Sequence, residues 1–289
     1  MKSGLPWTLA LAAAAVFPAR ARGQEVAAVL SSDQSAYREV YEGFQAAFGR
    51  PVPRLAPGDK VPDSADIVLA FGGKAAVSRY PGRVVLIYAV APSVVVGRDT
   101  HDGTSIKIMM EPQAEALIRI LTAIQPGLKR LAVLWSSAGQ AASAERLVRV
   151  GAARGVAVSA ERLEDGDGLP GRLRELMGRE DAIWLAPDPA LVNARNFSII
   201  KEYSYDNGIP FYAPTAGLAE QGATAAVSVG YREMGRTMAA AAKSVLAGNK
   251  PPSEIYSDRV RVTVNQTAAK AVALAVPAEV VKNADKVYP

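Results

Sequence analysis

From Glu25 onward the sequence alternates between short apolar runs of strand length and amphipathic stretches of helix length. "EVAAVLSS" precedes "YREVYEGFQAAFG", in which Tyr37, Tyr41, Phe44 and Phe48 recur at helical spacing and Gly49 supplies a stop. "ADIVLAFGG" turns through glycines into "KAAVSRY", and "GRVVLIYAVAP" follows. After Pro112, "QAEALIRILTAIQPG" is amphipathic, with Ala116, Ile120, Ala123 and Ile124 on one face and Leu117 and Leu121 beside them. The cycle restarts at Leu128 with "LKRLAVLWSS", "QAASAERLVRVGAARG", "VAVSAERL", "GRLRELMGRE" and "DAIWLAPD". A long helix is expected over "PALVNARNFSIIKEYSYDNG", with Asp188 as its N-cap and Pro189 at its first position. Such alternation requires parallel sheets covered by helices. Two cycles, from Val26 and from Leu128, make two doubly wound α/β lobes. No long linker separates them, so the chain passes between lobes as a hinge.

The residue inventory narrows the chemistry. There are no cysteines, which removes disulfides, thiolate metal sites, cysteine nucleophiles and a lipid-modified amino-terminal cysteine. The single histidine, His101, lies in the polar run "GRDTHDGTS" and reads as a solvated loop residue; a histidine-based metal site would need more ligands. Neither metal nor cofactor is expected. Residues 1–23 read as a secretory signal: Lys2, the apolar run "LPWTLALAAAAVF", then small residues in "PARARG". The apolar run is short for a membrane span. Lys2, Arg20 and Arg22 lie in this segment without an acid, so its removal takes much of the formal charge of +5. No basic cluster with interleaved aromatics remains, which leaves nucleic-acid binding without support.

In open parallel sheets, ligands bind outside the carboxyl ends of the strands. The candidates at these ends are Ser32 and Asp33, Phe71 with Gly72 and Gly73, Tyr88, Trp135 with Ser136, Asp188 in the turn "PDP", and Thr215. Strand ends always carry turn residues, so the pattern is permissive. "FGGKAA" fits neither spacing of the phosphate-binding glycine motifs, and its glycines allow close approach of backbone. There is no G-x-S-x-G elbow, and no spacing points to a pair of catalytic carboxylates.

The stretch from "DAIWLAPD" through "NGIPFYAP", "GA" at Gly222-Ala223, "YREMGR" and "VLAGNKP" resembles the periplasmic substrate-binding proteins of ABC transporters. The branch is the one that includes tryptophan- and tyrosine-binding members. "KRLAVLW" before it and "AAKAVALAVPAEVVKNADKVY" after it fall in the family's order. The resemblance implies a type I periplasmic-binding-protein fold with about three crossovers between lobes. It divides the chain into an amino-terminal lobe of 24–112 plus 230–258 and a carboxyl-terminal lobe of 113–229 plus 259–289. It also implies that Asp188 lies near the ligand, as the acid does in amino-acid-binding members. Two further acids of the family become Thr215 and Gly230 here, and an asparagine-containing loop becomes Ser136-Ser137-Ala138. A buried ammonium needs paired acceptors, so these changes argue equally for a less charged, anionic or aromatic ligand. Tyr37, Phe71, Tyr88, Trp135 and Tyr231 are the aromatic candidates.

The expected protein is therefore a monomeric extracytoplasmic receptor that captures a small molecule and hands it to a membrane permease, with no catalysis of its own. A ligand sensor or accessory subunit of an envelope complex, and an enzyme on the same scaffold, remain alternatives.

Overall fold

The structure, a computed structural model, describes residues 25–164 and 166–289. The expected leader lies outside the described residues. Within them, no helix is long and apolar enough to cross a membrane.

The first lobe opens with β1 (Glu25–Leu30), α1 (Ser35–Phe48), β2 (Arg54–Leu55), β3 (Ala65–Phe71), α2 (Gly73–Ala76), β4 (Val85–Ala89) and β5 (Ser105–Ile108). The chain then crosses to α3 (Ala114–Ile124), β6 (Arg130–Trp135), α4 (Ala141–Ala153), β7 (Ala157–Arg162), α5 (Leu169–Leu176) and β8 (Ala182–Leu185). It continues through α6 (Ala194–Asn207), β9 (Phe211–Ala213), α7 (Ala216–Glu220) and β10 (Ala225–Ser228). It returns to the first lobe for α8 (Tyr231–Leu246) and β11 (Glu254–Ile255). Finally it crosses again to β12 (Arg261–Asn265), α9 (Gln266–Ala271), α10 (Ala278–Asn283) and β13 (Lys286–Tyr288). The two sheets have strand orders β11-β5-β4-β3-β1-β2 and β13-β12-β10-β9-β8-β6-β7. Three passages connect them, as a type I periplasmic-binding-protein fold requires. Pairing is parallel throughout the described ladders except between β10 and β12, where Ser228 faces Arg261.

Both sheets are covered on two faces, which explains the near-continuous apolar strands. In the first, Phe44, Phe48, Ile67, Leu69, Met234 and Met238 form the core under α1 and α8. Val68, Leu86 and Tyr80 line the opposite face with α2. In the second, Trp184 and Tyr212 pack under α3, and Phe197, Ile200 and Phe211 pack under α6. Gly49 ends α1 in the left-handed region (φ 86) and donates its amide to the Gln45 carbonyl, as a helix stop should.

Three sequence expectations need correction. The sixth helix starts at Ala194, not at Pro189, and its N-cap is Asn193, whose side chain accepts from the Asn196 amide. The intervening residues form a turn closed on Asp188, whose carbonyl accepts from the amides of Leu191 and Val192. The buried stripe of α3 runs through Ala114, Leu117, Ile118, Leu121 and Ile124, which turns Ala123 to solvent. His101 is in a loop, but only 4 % exposed. Its ring lies against Gly103, where a Cβ would come within 2.8 Å of it, and its Nε2 is 3.2 Å from the Thr104 carbonyl oxygen.

Candidate functional site

The carboxyl ends of the parallel strands in the two sheets face one another, and most of the expected site residues lie on these rims. On the first rim, Ser32 and Asp33 are exposed, and Asp33 pairs with Arg54 at 3.5 Å in a largely solvated ion pair. Tyr37 is half-buried and its ring lies on Gly72. A Cβ at Gly72 would come within 2.6 Å of both the Tyr37 ring and Ser31 Oγ, and the residue sits at φ +97. Glycine is therefore required there by both contact and backbone. Gly73 opens α2, beside Val94. Tyr88 ends β4 buried, and burial, reinforced by the Glu254 carboxylate, pushes its phenol up to about 12. The next-but-one residue, Val90, is β-branched yet left-handed (φ 54), a local strain of the kind that collects at functional rims. Phe71 departs from expectation. It is fully buried among core aromatics, with ring centroids 5.8 Å from Tyr41 and 6.3 Å from Phe44, so it supports the rim from beneath.

On the second rim, Asp188 is completely enclosed. Its Oδ2 accepts from the Ser136 amide (2.8 Å), the Ser137 amide (2.6 Å) and the Ser137 hydroxyl (2.8 Å), and its Oδ1 accepts from the Ala190 amide (3.1 Å). Four protein donors occupy the carboxylate that sequence placed beside a ligand. Its work in this conformation is to tie the turn after β8 to the turn after β6. Trp135 is half-buried, with Arg162 over its ring at 5.5 Å. Its Nε1 is buried and has no hydrogen-bond partner among the described residues. It borders a hollow of about 20 Å³ with Trp184, Pro187 and Tyr256, room for a single water.

Thr215 and Tyr231 meet in a larger cavity of about 220 Å³. Its walls are Glu39 from α1, Met110 from the first passage, Pro214 to Gly217 after β9, Ser228 to Tyr231 at the second passage, and Arg261 where the third passage lands. Burial raises the Tyr231 phenol above its ordinary value, with the charges of Glu39 and Tyr37 adding to the effect. Gly230 provides the space against which Arg261 packs: a Cβ there would lie 3.2 Å from the guanidinium Cζ and Nε.

Around the smaller hollow the lobes touch directly. The buried Lys107 ammonium donates to the carbonyls of Pro92 (3.1 Å) and Val94 (3.4 Å) in its own lobe and of Gly139 (3.4 Å) in the other. Burial pulls that ammonium below its ordinary value, against the opposing influence of Glu111 and Glu254. Arg146 of α4 reaches Glu254 of β11 at 3.0 Å and lies 5.8 Å over the Tyr256 ring. Ser143 donates to Glu111 at 2.6 Å. Gly139 is the closest approach, since a Cβ there would collide with the Pro92 carbonyl oxygen and lie 2.7 Å from the Ser93 carbonyl carbon. Gly139→Val is therefore expected to wedge the lobes apart without touching either core. Small-angle scattering should give a larger radius of gyration than wild type, and an unchanged radius would mean that this contact does not hold the lobes together.

Of the residues expected from sequence, Thr215 and Tyr231 line this cavity; Glu39 and Arg261 beside them, and Lys107 and Gly139 at the lobe contact, were not among those expected. Arg261 begins a strand, and the search of carboxyl ends passes over strand beginnings. The antiparallel pairing of β12 brings that beginning level with the end of β10.

Residues 104–288 match the family model described as ABC transporter substrate binding protein. No curated protein gives a match. Among solved structures, a conserved domain protein from Vibrio cholerae superposes with TM-score 0.65 at 14% identity, over 91% of this chain and 99% of that one. An ABC domain from Streptococcus pneumoniae in complex with L-Trp gives TM-score 0.63 at 15% identity, over 91% and 99% of the two chains. The ligand-free, open form of a substrate binding protein with adhesive properties from Clostridium difficile gives 0.65 at 16% identity, over 92% and 99%. Identities this low speak for the fold alone.

Proposed function

The chain belongs to the ABC transporter substrate-binding protein family, and we propose that its ligand is held in the cavity bounded by Thr215, Tyr231, Glu39 and Arg261. It is a solute-binding protein that delivers its ligand to an ABC transporter. The observation that carries the choice of cavity is its lining: both lobes and all three passages contribute to one cleft, which is open to solvent on one side. A ligand there touches every segment that must bend when the lobes open, so binding energy couples directly to hinge closure. Ser32, Tyr37, Gly73 and Tyr88 form the facing rim, while Asp188 and Ser136 hold the second rim in shape.

In this reading the protein is exported by residues 1–23, works as a monomer in the periplasm, meets a membrane permease, and performs no catalysis. The lobes are 24–112 plus 230–258 and 113–229 plus 259–289. The family match supports an extracytoplasmic receptor. A thermal-shift screen over amino acids, sugars, nucleosides and organic acids tests it. One chemical class should raise the melting temperature, since ligand at a hundred times its Kd adds about 2.7 kcal/mol to the native state. A flat response across all classes would sink the receptor reading.

A further inference from the structure

We infer that the ligand carries a carboxylate or an equivalent anionic group, and that Arg261 is the residue that receives it. The inference rests on the cavity assigned above. Three observations carry it. Arg261 lines the cavity from its solvent-open side and makes no side-chain hydrogen bond or ion pair with the described residues, whereas Arg259, two residues before it, is paired with Asp285 at 3.5 Å. Its position is fixed from two sides: the β10 ladder holds its backbone opposite Ser228, and the absent side chain of Gly230 leaves the slot against which its guanidinium packs. Apart from Glu39 the rest of the wall adds no charge: Met110, Pro214, Thr215, Ser228, Val229 and Tyr231 are all neutral.

The remaining charged wall residue is Glu39, which sits beside the Tyr231 phenol. Its carboxylate too makes no hydrogen bond or ion pair among the described residues. The unpaired guanidinium and the unpaired carboxylate therefore border one solvent-open cleft without neutralising each other. A planar guanidinium offers a fork of donors that matches a carboxylate at two points. Glu39 then acts as a filter: it repels an anion bound in the wrong direction and accepts from a hydroxyl or other donor at the ligand's far end. Met110, Pro214 and Val229 leave an apolar middle. The ligand class is a small organic acid with an apolar body and its carboxylate directed at Arg261.

The test uses three series matched in shape: phenylacetate, indole-3-acetate and 4-methylvalerate; their primary amides; and the corresponding amines. Calorimetric titration of the purified protein should show the carboxylates binding on the order of 10- to 100-fold more tightly than either the amides or the amines. Arg261→Gln should bring carboxylate affinity down to the amide level while leaving amide affinity unchanged, an outcome that a purely structural role for Arg261 would not give. Added salt should weaken the carboxylates and not the amides. Amides or amines binding as tightly as carboxylates would overturn the assignment, as would equal weakening of both series by Arg261→Gln. If all three series fail but a neutral sugar or nucleoside binds in the wider screen, the anionic assignment falls and the receptor reading stands. Failure of every compound removes both.

Discussion

Asp188→Ala is expected to lower the unfolding free energy by about 3 kcal/mol, the range for removing a buried charged partner from several donors. The carboxylate has no exposed surface and accepts from two successive amides, one hydroxyl and a third amide further along its own turn. Alanine leaves the Ser136 amide buried without an acceptor and opens a void between two turns. Asp188→Asn should fall between wild type and alanine. Its oxygen can take the three donors now on Oδ2, but its amino group then faces the Ala190 N–H, donor against donor. Urea unfolding of the three proteins checks the order through their midpoints. A midpoint unchanged in Asp188→Ala, together with lost ligand affinity, would return Asp188 to the role of direct ligand contact that its place in the sequence suggested.

That reversal shows where sequence reading works and where it stops. The alternation of apolar runs and amphipathic stretches is a local property, and it carried the class of fold. The rule that sites gather at strand ends named Thr215, and Tyr231 was an aromatic candidate; both line the cavity. The same rule could not tell an acid facing inward from one facing the cleft, because both readings place Asp188 after an apolar strand. What separates them is whether Ser136 and Ser137, fifty residues earlier, turn their donors toward it, and that depends on β6 lying next to β8. Phe71 failed for a related reason. It ends a strand, but α1 lays Phe44 and Tyr41 over it. Arg261 was illegible for the most geometric reason. A strand's beginning reaches the ligand side only when the strand runs backwards, and the antiparallel order of β12 is a fact of topology. His101 looked solvated because its neighbours are polar, yet two glycines, Gly82 and Gly103, let the loop fold closely enough to cover it.

Gly235→Ala is expected to damage both stability and ligand binding, because Gly235 and Gly43 mark a contact between helix backbones. A Cβ on Gly235 would collide with the Val40 carbonyl oxygen and lie 2.5 Å from the Phe44 amide nitrogen of α1. A Cβ on Gly43 would likewise collide with the Arg232 carbonyl oxygen and lie 2.7 Å from its Cα in α8. No rotamer relieves either clash, since the obstacle is backbone and the added atom is Cβ itself. The helices must separate, and Phe44, Met234 and Met238, all fully buried between them and the sheet, lose contact. Overpacking of this kind lowers stability by about 1–3 kcal/mol, and the fixed backbone puts both variants at the upper end. The effect extends to the cavity because Glu39 belongs to α1 and Tyr231 opens α8, so a change in helix spacing moves one wall against the other. Gly171→Ala in α5 is the control: a Cβ there meets nothing within 4 Å, so helix propensity should make that variant as stable as wild type or slightly more so. Thermal unfolding of the three variants, followed by titration with whichever carboxylate binds wild type, should show Gly235→Ala and Gly43→Ala with lowered melting temperatures and weakened binding. Equal melting temperatures for Gly235→Ala and Gly171→Ala would mean that α1 and α8 do not meet at backbone distance.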